Sequence, residues 1–322
     1  MKHFTKLFLF ILLACVYTTQ LFAQKDPLPS WSDGANKKAI IDFVNAVTIE
    51  GSKSYVTPED RIATFDNDGT LWAEQPVVQI MFVFHSVRKM AEKDPSLKNT
   101  QPYKAIIEND REYLKNLGEQ SLLKLFVETQ TGMSLSEYQK DVADFFANAK
   151  TPSGKTMSQL RYQPQLELLD YLRDNDFKIY LCSGGSVDFM RAISLTYYGI
   201  PTEQVIGTEF EYVFDENSND FQRLPKVKTF NDKQEKPVNI QYNIGKRPII
   251  ACGNEGGAGD IYMLSFSQGN ILPSLQMIVN HDDSDREFFY QEEDNKSLDW
   301  AKKYGWQVIS IKNDWTKVFA DE

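Results

Sequence analysis

The sequence predicts an α/β fold, a doubly wound parallel sheet into which a block of helices is inserted. Three observations carry this. Short apolar runs alternate with helix-period segments from about residue 160 onward, the pattern of a parallel sheet covered on both faces. Three apolar runs end in polar, glycine-rich turns: Asp66-Asn67-Asp68-Gly69, Ser183-Gly184-Gly185-Ser186, and the stretch from Gly253 to Asp260. Between the first and second of these turns, residues 77 to about 150 keep a helical period without interruption.

Composition sets the frame. The 322 residues are 42% hydrophobic and 13% aromatic, enough for one sizeable core with an accessory domain and far from a disordered composition. Acids outnumber Lys and Arg by 45 to 35. No basic cluster offsets that, so a nucleic-acid partner is not expected, since phosphates demand a basic face.

The N-terminus reads as a secretory signal peptide over residues 1–23. Lys2, His3 and Lys6 precede an apolar run at 7–16, and Gln20-Leu21-Phe22-Ala23 ends on a small residue. Cleavage there removes Lys2 and Lys6 but no acid, raising the acid excess from 10 to 12. The protein is expected to be periplasmic or secreted, with no membrane span in the mature chain. Two alternatives stay open. One is a membrane anchor, for which the run is short and broken by Thr18-Thr19-Gln20. The other is a lipoprotein with a lipid anchor at Cys15, because Leu12-Leu13-Ala14-Cys15 resembles a lipobox apart from its bulky Leu13.

The elements follow in order. Residues 24–32 (QKDPLPSWS) are a proline-punctuated lead-in. Asp33 is placed to cap a helix running to about Val47, with Ala39, Ile40, Phe43 and Val44 on one face. A turn-rich link leads to a first strand at 61–65. The helical stretch then carries Tyr103, Ile106, Ile107, Tyr113, Leu114 and Leu117 at helical spacing. Ser134 and Glu137 form a capping box before Tyr138, Val142, Phe145 and Phe146. After TPSGK at 151–155, a helix with Leu166, Leu169 and Leu172 leads into a strand at 178–182. SGGS, a helix over about 187–198 and a strand near 204–206 come next. Residues 208–240 read as a small insertion or hairpin. Strands at 247–252 and 275–280 flank a helix that starts at Asp260. The expected division is a leader at 1–23, a core made of 24–72 and 160–322, and a helical cap at 73–159.

Ligands of open parallel sheets bind beyond the carboxyl ends of the strands. The three turns place suitable groups there. Glycines such as Gly184 let main-chain amides approach an anion, and the helix after SGGS aims its N-terminus at the same place. Carboxylates from two strands offer oxygen to a hard cation such as Mg2+. An anion cradle beside a Mg2+ site points to phosphoryl chemistry. One aspartate can serve as nucleophile and the other as general acid and base. Asp-Asn-Asp-Gly is also an ordinary turn sequence. The three glycine-rich strand ends together carry the catalytic reading over the turn.

FDNDGTL, IYLCSGGS and GN…GDIYML resemble the first, second and fourth motifs of the haloacid dehalogenase-like hydrolase superfamily. More narrowly they are similar to its exported, phosphoserine-phosphatase-like members, in which a DPLPSW-type lead precedes DNDGTLW. Residues 281–287 and the Gly305-Trp306…Asn313-Asp314-Trp315 ending resemble the same relatives, so most of the chain after the leader is covered. The resemblance implies a Mg2+-dependent phosphomonoester phosphatase, a phosphoric monoester hydrolase acting through an aspartyl-phosphate on a small phosphorylated molecule such as phosphoserine. It makes Asp66 the nucleophile and a metal ligand. Asp68 becomes the general acid/base, with its main-chain carbonyl on the metal. It has Ser183 bond a phosphoryl oxygen and Asp260 complete the metal site. The third motif is a lysine, assigned to Lys236, with Lys233 and Lys246 as rivals. Asp68 also selects among reactions: a leaving alkoxide needs a proton and a halide does not.

Some features depart from the family pattern. Asn254 and Asp260 are six residues apart where about four is usual, so Asp260 is expected on the metal with Asn254 in support. Glu255 is either a substitute ligand or a solvated loop acid. Glu74 sits one position away from the glutamate that reads the substrate ammonium in phosphoserine phosphatases, and no role follows for it. His85 and Trp72 read as packing residues. His281-Asp282-Asp283 either lines the cleft or forms an exposed turn. Cys182 and Cys252 precede two motif turns on strands expected on either side of strand one. Two strand spacings are roughly 9–10 Å, beyond disulfide reach, so both are expected free and buried. Two other functions keep the same scaffold, a catalytically weak or inactive binding protein and a phosphotransferase.

Overall fold

The computed structural model describes residues 26–256 and 259–321. The expected leader, with Cys15, lies outside them. Among the described residues no helix is long and apolar enough to cross a membrane.

One seven-stranded sheet forms the centre. Its strands are β1 (Ile62–Phe65), β2 (Lys178–Ser186), β3 (Val205–Asp215), β4 (Asp220–Thr229), β5 (Ile250–Asn254), β6 (Leu275–Asn280) and β7 (Gln307–Ser310). Their spatial order is β4-β3-β2-β1-β5-β6-β7. Every neighbouring pair is parallel except β3 and β4, which form an edge hairpin. All four residues of β1 are buried, as a central strand covered on both faces requires. The chain steps outward from β1 through β2 and β3 on one side and through β5, β6 and β7 on the other. That reversal opens a crevice at the carboxyl ends of β1, β2 and β5.

The first helix is α1 (Ala35–Thr48). Between β1 and β2 lie α2 (Val78–Lys93), α3 (Tyr103–Glu108), α4 (Arg111–Lys115), α5 (Glu119–Gln130), α6 (Leu135–Asn148) and α7 (Gln163–Asp174). The two chain crossings into the α2–α6 block pair with each other: Ala73 N–H donates to the Leu160 carbonyl and Tyr162 N–H to that of Leu71, both at 2.9 Å. The block has a small apolar cluster of its own around Val83, Val87, Ile106 and Leu125. Its other face joins the main core through Phe82, Phe145 and Phe146. These rings meet Phe189 of α8 (Val187–Tyr198) with centroids 5.0–6.4 Å apart. The Ser134–Glu137 capping box forms as expected at the start of α6.

A buried arginine fastens the same block from the sheet edge. Arg223 of β4 is fully buried and ion-pairs with Asp188 of α8. It donates from Nε to the Gln130 carbonyl at 2.7 Å and lies 3.9 Å from the Tyr138 ring centroid. Hairpin, helical block and core helix thus share one guanidinium.

The remaining helices are α9 (Glu235–Ile244), α10 (Ile261–Gln268), α11 (Lys296–Tyr304) and α12 (Ile311–Asp314). The lead-in is sewn to the C-terminal segment. Trp31 and Trp315 form an antiparallel bridge, and Ser32 N–H donates to the Asp314 carbonyl at 2.7 Å.

Several expectations need correction. Asp33 does not cap α1. The cap position is Gly34, without a side-chain bond, because the buried Lys37 ammonium takes the Asp33 carboxylate at 2.9 Å. β2 does not stop at Cys182. It runs through SGGS with a register irregularity against β3, so that turn is a bulged strand end. β3 is far longer than 204–206, because its outer half pairs with β4 rather than entering the core. β5 starts at Ile250 rather than at 247. β7 was not foreseen: it is four residues long and buries only Ile309, too little for an apolar run to stand out.

Candidate active site

The first motif turns sharply where β1 ends. Asp66 N–H still pairs with the Cys252 carbonyl at 2.9 Å, and the Asn67 carbonyl then accepts from the amides of Thr70, Leu71 and Trp72. Gly69 has φ +73°, a conformation that glycine adopts freely. It also has no room for a side chain: a Cβ there would lie 2.2 Å from Asn254 Nδ2. Because the chain turns, Asp66 and Asp68 both line one cavity of about 340 Å3, together with Gly184, Gly185, Lys236 and Asp260.

Lys236, in the first turn of α9, organises the cavity floor. Its ammonium donates to Asp66 Oδ1 at 2.6 Å and to Asp260 Oδ1 at 2.5 Å, and all three side chains are more than nine-tenths buried. Asp260 is fixed on its other oxygen by the Asn254 N–H at 2.9 Å. The rival lysines lie elsewhere. Lys233 is exposed and Lys246 pairs with Asp60 at 2.6 Å.

The electrostatics follow from burial. Burial alone would lower the Lys236 ammonium, but the Asp260 and Asp66 carboxylates outweigh it and hold it well above its ordinary value. Burial and the neighbouring Asp260 charge push the Asp66 carboxyl up, against the pull of Lys236. One ammonium is shared by two acids, so one acid is under-compensated. Burial also raises Asp68, opposed by hydrogen bonds from Trp72 and Asn67; the Trp72 indole N–H donates to Asp68 Oδ1 at 2.9 Å. Burial thus favours the protonated form of Asp68 more than it would be favoured in an exposed carboxyl.

The donor set fits a hard divalent cation. Asp66 and Asp260 present oxygen across a site whose acids exceed its single lysine, and two more positive charges would balance Asp66, Asp68 and Asp260. Among the described residues no three His, Cys, Asp or Glu side chains close into a cage. Asp66 and Asp260 could supply the one or two carboxylates that Mg2+ takes, the rest of its shell being water and substrate oxygens.

Other expected residues fall as follows. Ser183 is fully buried. Its hydroxyl accepts from Gly185 N–H at 3.1 Å, which leaves its O–H free to donate; Gly184 and Gly185 form the cavity wall. Asn254 lines the cavity, with its side-chain amide donating to Tyr290 Oη at 2.9 Å and Glu74 Oε2 at 3.2 Å. Glu255 is no solvated loop acid. It is buried, and Oε1 accepts from Glu292 N–H at 2.8 Å. His85 packs between Phe82 and Phe145. His281 is buried behind the first motif, with Nε2 3.0 Å from the Gly69 carbonyl and Nδ1 2.9 Å from Glu287. Cys182 and Cys252 are free and buried on the strands flanking β1.

Two residues that line the cavity, Glu74 and Gln79, have no assignable role in the sequence, nor has Tyr290, whose hydroxyl meets the Asn254 amide beside them. Gln79 stands between Val78 and Ile80 at the start of an apolar helix, and that polar interruption was the available signal. Tyr290 arrives from a loop after β6 that no local pattern ties to the site.

Two solved structures share this architecture at a TM-score of 0.50 or above. A protein of unknown function from Bordetella pertussis Tohama I is 14% identical, with a TM-score of 0.50 over 77% of this chain and 97% of that one. A functionally unknown protein from Anaerococcus prevotii DSM 20548 is 15% identical, with a TM-score of 0.54 over 85% and 91%. A probable phosphoserine phosphatase from Vibrio cholerae is 16% identical, with a TM-score of 0.36 over 69% and 56%. At this identity the first two likenesses show the fold alone. No curated protein matches the chain. The family model described as haloacid dehalogenase-like hydrolase matches residues 63–254, which span the first two motifs, the α2–α6 block, Lys236 and the start of the fourth motif. With more than half of its length inside that match, the chain belongs to the haloacid dehalogenase-like hydrolase family.

Proposed function

We propose that the chain is an exported phosphomonoester phosphatase that passes the phosphoryl group through Asp66 and depends on Mg2+. The observation that carries this is Lys236, buried and bonded to both Asp66 and Asp260, beside a second carboxyl at Asp68 and a glycine wall.

In this reading the Asp66 carboxylate attacks phosphorus. The new bond joins Asp66 to phosphorus while the ester P–O bond breaks. The proton of the Asp68 carboxyl goes to the departing alkoxide, which leaves as the alcohol. Asp68, now a carboxylate, takes a proton from the water that attacks the aspartyl-phosphate. The Asp66–phosphorus bond breaks, and inorganic phosphate and both aspartates are restored. Lys236 offsets the charge gathered between nucleophile and phosphoryl oxygens. Gly184 and the Ser183 hydroxyl hold those oxygens. A divalent cation held by Asp66, Asp260 and the Asp68 main-chain carbonyl would neutralise the same oxygens and orient them. The α2–α6 block, docked through its aromatic face, keeps bulk water from the aspartyl-phosphate.

The substrate we favour is a small phosphomonoester with a cationic group, phosphoserine being one. Glu74 supports this: it lines the cavity and takes neutral donors from Asn254 and Tyr290.

The test is phosphate release by residues 24–322 from a panel of phosphomonoesters, with Mg2+ or EDTA, beside Asp66→Asn. Release that requires both Mg2+ and Asp66 is expected. Turnover retained by pure, folded Asp66→Asn would overturn the nucleophile assignment.

A further inference from the structure

Asn231 follows β4 and precedes α9, and it is fully buried. Its side-chain amide is used at both ends. Nδ2 donates to the Ser183 carbonyl at 2.8 Å, and Oδ1 accepts from Nδ2 of Asn239 at 3.0 Å. Asn239 Nδ2 also donates to the Phe230 carbonyl at 2.9 Å, so the partners fix which end of each amide is the donor. The Asn231 N–H adds a third tie, to Thr208 Oγ1 at 3.2 Å, and that hydroxyl donates to the Gly184 carbonyl at 2.7 Å. Asn239 lies one turn after Lys236, on the buried side of α9. Asn231 is thus bonded to the Ser183-Gly184 turn on one side and to the helix of Lys236 on the other.

We propose that Asn231 is a positioning residue that holds the Lys236 ammonium and the Ser183-Gly184 turn in one frame, so that the second and third motifs grip the phosphoryl group as a unit. This rests on the phosphatase reading of the same cavity. Two observations add to the bonds themselves. The main-chain carbonyls of Ser183 and Gly184 are both taken by buried donors, so neither is left to repel an anion at the glycine wall. The short link from Asn231 to Lys236 passes through Lys233 at φ +50°. Lysine rarely adopts that left-handed conformation, and it persists where the surrounding contacts over-determine the chain.

Asn231→Leu removes both amide bonds and keeps the size. A misplacement of about 1 Å in a catalytic frame costs on the order of 10²-fold, so residues 24–322 with this change are expected to lose about 10–100-fold in kcat/KM on a phosphomonoester at saturating Mg2+. Orthovanadate, which imitates the five-coordinate phosphoryl centre, separates misplacement from damage. A misplaced frame weakens orthovanadate inhibition in step with kcat/KM. A merely destabilised protein has fewer active molecules, so kcat falls while KM and the inhibition constant stay where they were. Arg61→Leu cuts buried bonds to the Val56 and Asn175 carbonyls at the other end of β1. It is the control, expected to keep the wild-type inhibition constant. An unchanged inhibition constant in Asn231→Leu overturns the proposal. The tie to Lys236 is read from a double-mutant cycle. In Lys236→Met the ammonium is gone, so adding Asn231→Leu is expected to cost at least about threefold less orthovanadate affinity than in wild type. An equal cost in both backgrounds overturns the link.

If wild type releases no phosphate from any ester with Mg2+ present, the phosphatase reading fails, and calorimetry with inorganic phosphate and Mg2+ decides the role of Asn231 by itself. Binding at least about tenfold weaker in Asn231→Leu upholds the frame. Equal binding, or none by wild type, overturns it.

Discussion

Lys236→Met removes the ammonium and keeps most of the volume, leaving Asp66 and Asp260 facing each other with no cation within hydrogen-bond reach. Breaking a buried ion pair on one side costs about 3–5 kcal/mol. The acids can escape part of that by binding a proton, and the escape sets a ceiling. A carboxylate moved from about pH 4 to protonation at pH 7 costs about 4 kcal/mol, at roughly 1.4 kcal/mol per pH unit. At pH 5 the same ceiling is only about 1.5 kcal/mol. The sign follows from the direction of the shift. Asp66 is raised in the folded protein, so the fold is favoured with this group protonated and loses stability as pH climbs from the ordinary value of 3.8 through the raised one. Removing Lys236 carries that loss to higher pH. Metal-free Lys236→Met is therefore expected to lose about 3–4 kcal/mol at pH 7 and under about 2 kcal/mol at pH 5, with much of the loss restored by Mg2+. Phosphate release should fall at least about 100-fold, as for loss of one transition-state donor. Urea unfolding of metal-free residues 24–322 at the two pH values, with and without Mg2+, reads the first result. A loss below about 1 kcal/mol, or an equal loss at both pH values, would refute the claim that Lys236 balances two buried acids.

Other predictions concern other parts of the molecule. Arg223→Met strands the Asp188 carboxylate and should cost about 3–5 kcal/mol, while adding Asp188→Leu should recover more than half of it; urea unfolding of the double-mutant cycle decides. Burial pushes the Cys182 thiol up to about 11 and Cys252 to about 12. Native residues 24–322 should therefore stay inert to a thiol reagent at pH 8 and show two thiols once unfolded. Both groups favour the fold as neutral thiols, so their contribution is intact below the ordinary value of 9.0 and is lost as pH rises through those raised values. Saturating Mg2+, at about 100 times its Kd, should stabilise the fold by about 2.7 kcal/mol, seen as a higher melting temperature that EDTA abolishes.

The sequence showed best what is local and periodic. Asp66 and Asp68 stood at a strand end, the Ser134 capping box announced α6, and the apolar strands fixed the sheet's centre. Lys236 was legible only through resemblance, because nothing in Gln234-Glu235-Lys236-Pro237 distinguishes it from an exposed lysine. What stayed hidden was assembled across distance. Arg223 reads as one more charge in a polar hairpin, yet it is buried because Asp188, Gln130 and Tyr138 converge on it. Asp33 looked like a cap until the buried ammonium of Lys37 claimed it. Glu255 looked solvated until the loop carrying Glu292 folded over it. Each misreading came from a competing partner that local spacing cannot reveal.

The bridge between Trp31 and Trp315 joins the first described residues to nearly the last. A chain made from its N-terminus exposes Trp31 early and Trp315 only at the end. Ser30 and Trp31 are also held by Glu167 and the Pro164 carbonyl, but the bridge to Trp315 is a contact of very high sequence separation, of the kind that slows folding. Cutting the chain before Asp314 would strip the lead-in of its bridge to Trp315 and of the Ser32 bond to Asp314, leaving it held only from Glu167 and Pro164, while the central strands could still pair.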